Sequence, residues 1–297
     1  MMRSLHQYLI VAMAPFFVLI GCSGDSADEA SLGNDSHYGR LVSLSVPENQ
    51  EEARSAGCTL MGNYLGTGLN SLANLSGGLD QSFDTGRGGI IQLVLLAQLE
   101  NWGTPGENTF NLNLFQGGQD ESTLDIITQK PASAPAEDIG AFFNNMVADS
   151  DGWFDGYTES LRLPVPILDD LVLYAGMDNT SLTAKADITE DGASISGLLM
   201  GYLSANSIME ITKSIINACA PGDQPTICPI IGNQITYETP PEEAFPIVVS
   251  FMGGYDARLS DSGTPEFCDL TSEDPATTCN AVSMCLAFGV EPVVPTR

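Results

Sequence analysis

Apolar residues recur at every second position through much of this chain, and a period of two is the signature of strands buried on one face. Phe110, Leu112 and Leu114 alternate with Asn111 and Asn113, and Leu182, Ala184, Ala186 and Ile188 alternate with polar neighbours, as do Leu161, Leu163 and Val165. The run from Ile90 to Leu99 is apolar on both faces and reads as a central strand; Gly103-Thr104-Pro105-Gly106 joins it to the Phe110 strand as a hairpin. A last strand runs from Asn280 to Val290, with Val282, Met284, Leu286, Phe288 and Val290 on one face and Ala281, Ser283, Cys285, Ala287 and Gly289 on the other. Its small-residue face fits against a second sheet at a disulfide. Many short strands separated by Gly, Pro and Asp turns predict a mainly β protein, an antiparallel β-sandwich with one or two short helices.

Two segments have the helical period instead. Ser207 to Cys219 carries Ile208, Ile211 and Ile215 on one face, with Ser207 and Glu210 as a capping box and Pro221-Gly222 as the stop. Leu65, Leu69, Leu72, Leu75, Leu79 and Phe83 also fall on one helix face, although Gly66, Gly68, Gly77 and Gly78 weaken that helix. Pro131-Ala132-Ser133-Ala134-Pro135-Ala136 is the best internal boundary, but such a stretch is as often a surface loop, and one domain is expected.

The amino-terminal segment has a different composition. Arg3 precedes an apolar run from Tyr8 to Ile20, and the chain turns polar directly after Cys22. A run of about 13 residues is shorter than the roughly 20 a spanning helix needs and fits the apolar region of a secretory signal. Leu19-Ile20-Gly21-Cys22 resembles the lipobox of bacterial lipoproteins. That resemblance implies a signal peptide over 1–21, cleavage before Cys22 and acyl chains on its sulfur, which anchor a protein without a transmembrane helix. Ser23, where an inner-membrane lipoprotein often has Asp, points to the outer membrane or cell surface. Residues 22–57, rich in Ser, Asp, Glu, Gly and Asn, read as a flexible tether in which Val42 to Val46 alone alternates like an edge strand, and 58–297 as a disulfide-braced β-rich domain.

Export makes sense of the cysteines. With Cys22 committed to lipid, six remain, Cys58, Cys219, Cys228, Cys268, Cys279 and Cys285, an even set that implies three disulfides. Six cysteines allow about 15 pairings. Short loops make Cys219 with Cys228 and Cys268 with Cys279 the simplest local pairs, which leaves Cys58 for Cys285.

Charge and histidine usage remove whole classes of function. With 38 acidic against 10 basic residues and a net charge of −28, the chain is no partner for nucleic acid, whose binding depends on Lys and Arg neutralising phosphates. After the leader the only histidine is His37, in the expected tether, which removes imidazole-based nucleophilic schemes and histidine-ligated zinc from the domain. Neither a P-loop nor a G-x-G-x-x-G turn is present. Carboxylate chemistry is what remains.

Asp84-Thr85-Gly86 and Asp261-Ser262-Gly263 resemble the paired signatures of pepsin-like aspartic proteases, which would make Asp84 and Asp261 catalytic. The flanks depart from that family: Gln81-Ser82-Phe83 and Arg258-Leu259-Ser260 precede the motifs where buried apolar runs are required, and Arg87 and Pro265 follow them. Turns account for such motifs equally well. A paired-carboxylate glycosidase is the other enzymatic reading; Asp169-Asp170 reads as a turn, since adjacent strand residues point to opposite faces. The stretch Asp149-Ser150-Asp151-Gly152-Trp153-Phe154-Asp155-Gly156-Tyr157 offers calcium ligands in Asp149, Asp151 and Asp155, and a sugar-stacking platform in Trp153 and Tyr157, against a plain turn. The whole pattern is similar to acidic envelope lipoproteins of Gram-negative bacteria. The expectation is therefore a lipid-anchored, non-enzymatic module that binds a glycan or an envelope protein, with a secreted carboxylate-dependent hydrolase as the alternative.

Overall fold

In the computed structural model, which describes residues 36–69, 83, 89–130, 140–167, 171–232, 234–274 and 277–296, strand β1 (Ser36–Ser45) is hydrogen-bonded along both edges. It pairs antiparallel with β2 (Leu95–Glu100) on one side and with β12 (Ala281–Pro292) on the other, and so closes the sheet. From β2 the sheet continues through β3 (Thr109–Gln116), β6 (Gly140–Val147), β7 (Trp153–Ile167), β8 (Leu171–Thr189) and β9 (Gly192–Ser204) back to β12. The mainly β, antiparallel class with few short helices is the one expected. The strands nevertheless form one eight-stranded barrel where two facing sheets were anticipated. Alternation defines an apolar face and leaves open whether that face meets a second sheet or curls onto itself. Two further two-stranded pieces lie outside the barrel, β4 (Gly118–Gln119) with β5 (Ile126–Ile127) and β10 (Arg258–Leu259) with β11 (Pro265–Glu266).

The closing strand corrects the expected tether, because barrel structure begins at Ser36 and not after residue 57. Leu44 and Val46 are buried in the barrel core, and helix α1 (Gln50–Ala56) follows, capped by the Asn49 side chain, which accepts from the amides of Glu51 and Glu52. His37 thus lies on β1, paired with Leu99, rather than in a tether. The helix expected over Leu65 to Phe83 is described only as a 3-10 turn, Thr67–Leu69, most of the remainder lying outside the described residues. Pro131 to Ala136, Asp169 and Asp170 also lie outside them.

The barrel interior is filled. Leu95, Leu99, Phe110, Leu112, Phe143, Phe154, Leu161, Met177, Leu182, Ile195 and Leu286 point inward, and Ala175, Ala184, Ala186 and Ala193 line the β8–β9 wall. At the hairpin end, Trp102, Phe110 and Phe154 pack edge to face with centroids 4.6 to 6.2 Å apart. At the opposite end, α2 (Ala205–Ala218) buries Ile208, Ile211, Ile215 and Ile216 and packs against β8, β9 and α4 (Pro241–Phe251), with α3 (Ile227–Ile231) adding Ile227 and Ile231 to the same core. The α2 residues are those of the expected helix, but Ser204, not Ser207, is its N-cap. An apolar void of about 40 Å³ among Leu44, Leu95, Leu163, Leu199 and Val290 is far below the roughly 150 Å³ that admits a benzene ring. The interior is a packed core, as eight strands allow. Its polarity, apolar inside with Asp155, Glu159, Thr183 and Lys185 among the residues facing outward, is the reverse of a membrane-spanning barrel.

A second, smaller core lies outside the β9–β12 wall. Ala53 and Leu60 pack there over Met200, Tyr202 and Cys285, and the Cys58–Cys285 disulfide fastens the layer to β12. The small face of β12 is therefore covered by a helix and a loop, not by a sheet. Asp256, only 1 % exposed, binds the loop to the barrel: its carboxylate accepts from the amides of Tyr64 (2.9 Å) and Ser283 (2.7 Å) and from the Ser283 hydroxyl (2.5 Å). A carboxylate taken out of water needs such compensation. Cys219–Cys228 and Cys268–Cys279 form as well, so all three pairings agree with the spacing argument.

Two predictions follow from this packing. A Cβ at Gly39 would collide with Val290 Cγ1 and the Ala193 carbonyl, so Gly39→Val should destabilise the barrel by about 1–3 kcal/mol or more in a denaturant melt, the cost of overpacking. Burial raises the Tyr202 phenol above its ordinary value, partly offset by the Met61 amide it accepts from and reinforced by the Asp256 carboxylate. With a folded-state pKa raised above the unfolded one, Tyr202 contributes stability that is complete below pH ~10 and lost as pH rises through the folded value. Melting curves of Tyr202→Phe should lose that component of the alkaline decline above pH ~10.

Candidate functional site

Residues 177 to 182 break the alternation of β8. Met177 faces inward, and so does Leu182, five positions on; an odd interval requires an irregularity in the strand. The pairing of β8 with β9 shifts between Asp178 and Ser181, and Asn179 adopts a left-handed backbone (φ 50°), which Asn tolerates better than most residues. The irregularity leaves the Asn179 amide outside the barrel wall. Its Oδ1 accepts from the Tyr157 hydroxyl at 2.8 Å, and its Nδ2 donates to the Gly263 carbonyl.

Gly263 belongs to the β10–β11 hairpin, whose tip, Ser260 to Thr264, leans over this part of the wall. The tip is held by its own groups: Gly263 N–H donates to the Ser260 carbonyl (2.8 Å), the Ser260 hydroxyl bonds to that of Ser262 (2.9 Å), and the Ser262 hydroxyl bonds to Thr264 Oγ1 (3.1 Å). Asn280 fixes the hairpin base by accepting from the Leu259 amide and donating to its carbonyl. Between hairpin and wall runs a polar cleft of about 670 Å³. Tyr157, Glu159, Asp178 and Asn179 line one side; Ser260, Asp261, Ser262 and Thr264 line the other; and Ser204, Asn206 and Asn280 lie at the helix end of the barrel. Among the described residues, no lysine, arginine or histidine lines it. A cleft of this size is in the usual range for small-ligand sites, but its polar lining suits a polar ligand.

The sequence-predicted residues are only partly brought together. Trp153 and Tyr157 stand on the outward face of β7, 47 % and 58 % exposed, and Tyr157 reaches the cleft. Asp155 lies between them and accepts from the Thr183 hydroxyl at 2.7 Å. Asp149 turns inward on its own hairpin, where Oδ1 accepts from the amides of Asp151 and Trp153 (both 2.9 Å) and Gly152 supplies the positive φ. Its carboxylate is used by the turn. Among the described residues no three His, Cys, Asp or Glu side chains converge as a metal site, so Asp149, Asp151 and Asp155 are not assembled for calcium. Asp261 is exposed at the β10–β11 tip, and Asp84 lies outside the described residues. His37 sits at the hairpin end and does not line the cleft.

Among the described residues outside the cleft, two carboxylates are held below their ordinary range, both by local turns. Asp120 accepts from the Ser122 hydroxyl and from the amides of Thr123 and Ser122, and Asp269 accepts from the hydroxyl and amide of Thr271. Burial raises the Tyr174 phenol, and the Arg162 guanidinium 5.9 Å from its ring centroid works against that rise. Among the residues that sequence reasoning missed are Glu159, Asp178, Asn179 and Asn280. The parity change between Met177 and Leu182 was the available signal for the middle two; nothing local marks Asn280, which arrives through tertiary folding.

No protein-family model matches the chain, and no curated protein or solved structure matches it.

Because Asn179 joins Tyr157 to the hairpin, Asn179→Gly, which keeps the left-handed backbone, should remove two hydrogen bonds. The expected result is a loss of about 1–3 kcal/mol and faster amide hydrogen exchange confined to Ser260–Thr264.

Proposed function

We propose that this protein is a lipid-anchored module of the outer membrane or cell surface that binds a glycan in the cleft beside Tyr157 and carries out no chemistry of its own. The observation that carries this reading is the Tyr157 ring, held by Asn179 at the rim of a cleft built from amides, hydroxyls and carboxylates. A sugar ring offers an apolar C–H face for an aromatic and a rim of hydroxyls for such groups. Three disulfides support an oxidising compartment, and Leu19-Ile20-Gly21-Cys22 supports the anchor. The chain enters the barrel at Ser36, at the hairpin end, whereas Ser204 and Asn280 put the cleft toward the helix end.

Glu159, Asp178 and Asp261 in one cleft favour a second reading, a carboxylate-dependent glycosidase. Release of reducing ends from bound glycan, abolished by Asp178→Asn, would replace the first reading with this one.

Thermal melts of the full chain in detergent against a glycan panel test the binding reading: a shift with at least one sugar is expected, and Tyr157→Ala should weaken that sugar about tenfold, or 1.4 kcal/mol. Absence of a shift across the panel refutes it. Independently, Cys22→Ser should lose metabolic labelling by palmitate and appear in the soluble fraction.

A further inference from the structure

We infer that the ligand of this cleft is a linear glycan several sugars long, without acidic groups, that leaves the cleft past Tyr157 and runs along β7 to a second stacking position on Trp153. The inference rests on the glycan reading above and adds chain length, direction and charge to it.

Between Trp153 and Thr158 the pairing of β7 with β8 is unbroken, Trp153 opposite Lys185 and Tyr157 opposite Ser181. Residues four apart on a regular strand point to the same side and stand about 13 Å from each other. Phe154 points into the core, which fixes the face that Trp153, Asp155 and Tyr157 present to solvent. Two large aromatic side chains, each about half exposed on one regularly paired stretch of strand, present two apolar rings on the same side of the wall. A single sugar cannot span that distance; a linear oligomer can. Between the rings the wall offers the Asp155 carboxylate and the Thr183 hydroxyl, 2.7 Å apart, both able to bond sugar hydroxyls.

At the cleft end, Tyr157 continues into Glu159 and Asp178, with Asp261 across from them and no cationic side chain among the described residues of the lining. A polyuronate would bring like charges against these carboxylates inside a concave wall, where repulsion is least screened. A neutral or amine-bearing chain meets no such barrier.

Calorimetric titration of the full chain in detergent, with disaccharides and hexasaccharides of the cellulose, chitin and mannan types and a mannuronate hexasaccharide, tests this. One neutral or amine-bearing hexasaccharide is expected to bind about tenfold or more tighter than its disaccharide, corresponding to about 1.4 kcal/mol, with no binding of mannuronate. Trp153→Ala should bring the hexasaccharide down to the affinity of the disaccharide and leave the disaccharide unchanged, whereas Trp153→Phe should keep most of the advantage. Equal affinity for both lengths, an equal loss at both lengths in Trp153→Ala, or tight mannuronate binding would overturn the extended platform while glycan binding stands. Failure of every sugar to bind would overturn the glycan reading and this inference together.

Discussion

Closure of the barrel depends on one strand having partners on both edges. β1 contributes few large apolar side chains, yet its backbone satisfies the otherwise open edges of β2 and β12. Exposed strand edges are a template for aggregation, and full closure removes them. Everything else in the fold is positioned by this pairing. The apolar faces of all eight strands turn toward a common axis, the ends need plugs, and the plugs are the Trp102 cluster at one end and the α2 isoleucines at the other. Gly39 allows the close approach: it sits against Val290 and the Ala193 backbone, where a larger residue would hold the strands apart.

The outer layer on β9 and β12 solves a different problem. Small residues on the outward face of β12 let the segment around Leu60 lie close, and there the buried Asp256 replaces hydration with three donors from two distant parts of the chain. The Cys58–Cys285 bond spans 227 residues and joins the same two parts. Cross-linking so long a loop restricts the unfolded chain more than either short disulfide does, in the chain-entropy account. Disulfide and carboxylate thus fasten one layer by independent means, one acting through the unfolded state and one through native hydrogen bonds.

Local pattern was legible where local physics decides. The β2–β3 hairpin, the two faces of β12, the α2 stripe and the three disulfides follow from alternation, turn residues, helical spacing and loop length. Sheet closure did not, since an alternating strand looks the same in a sandwich and in a barrel. β1 reads largely as tether because its composition is polar, and its partners lie more than 50 residues away at β2 and more than 200 at β12. Ile90 to Val94 read as the start of a strand because it is apolar, yet β2 begins only at Leu95, and Ile90 is 52 % exposed. Of the site, the aromatic pair on β7 was visible and the cleft was not. The hairpin that roofs it is brought there by contacts between Asn179 and Gly263, 84 residues apart.

The irregularity in β8 has a structural consequence. A barrel whose interior is filled has no room for a ligand, so any recognition must be built on its outer wall. The five-residue interval between two inward-facing positions lifts one polar side chain out of the weave without displacing a core residue. Side chains that fill the core and side chains that line the cleft are therefore largely separate sets on opposite surfaces of the same strands, with Asn179 serving both the wall and the hairpin above it.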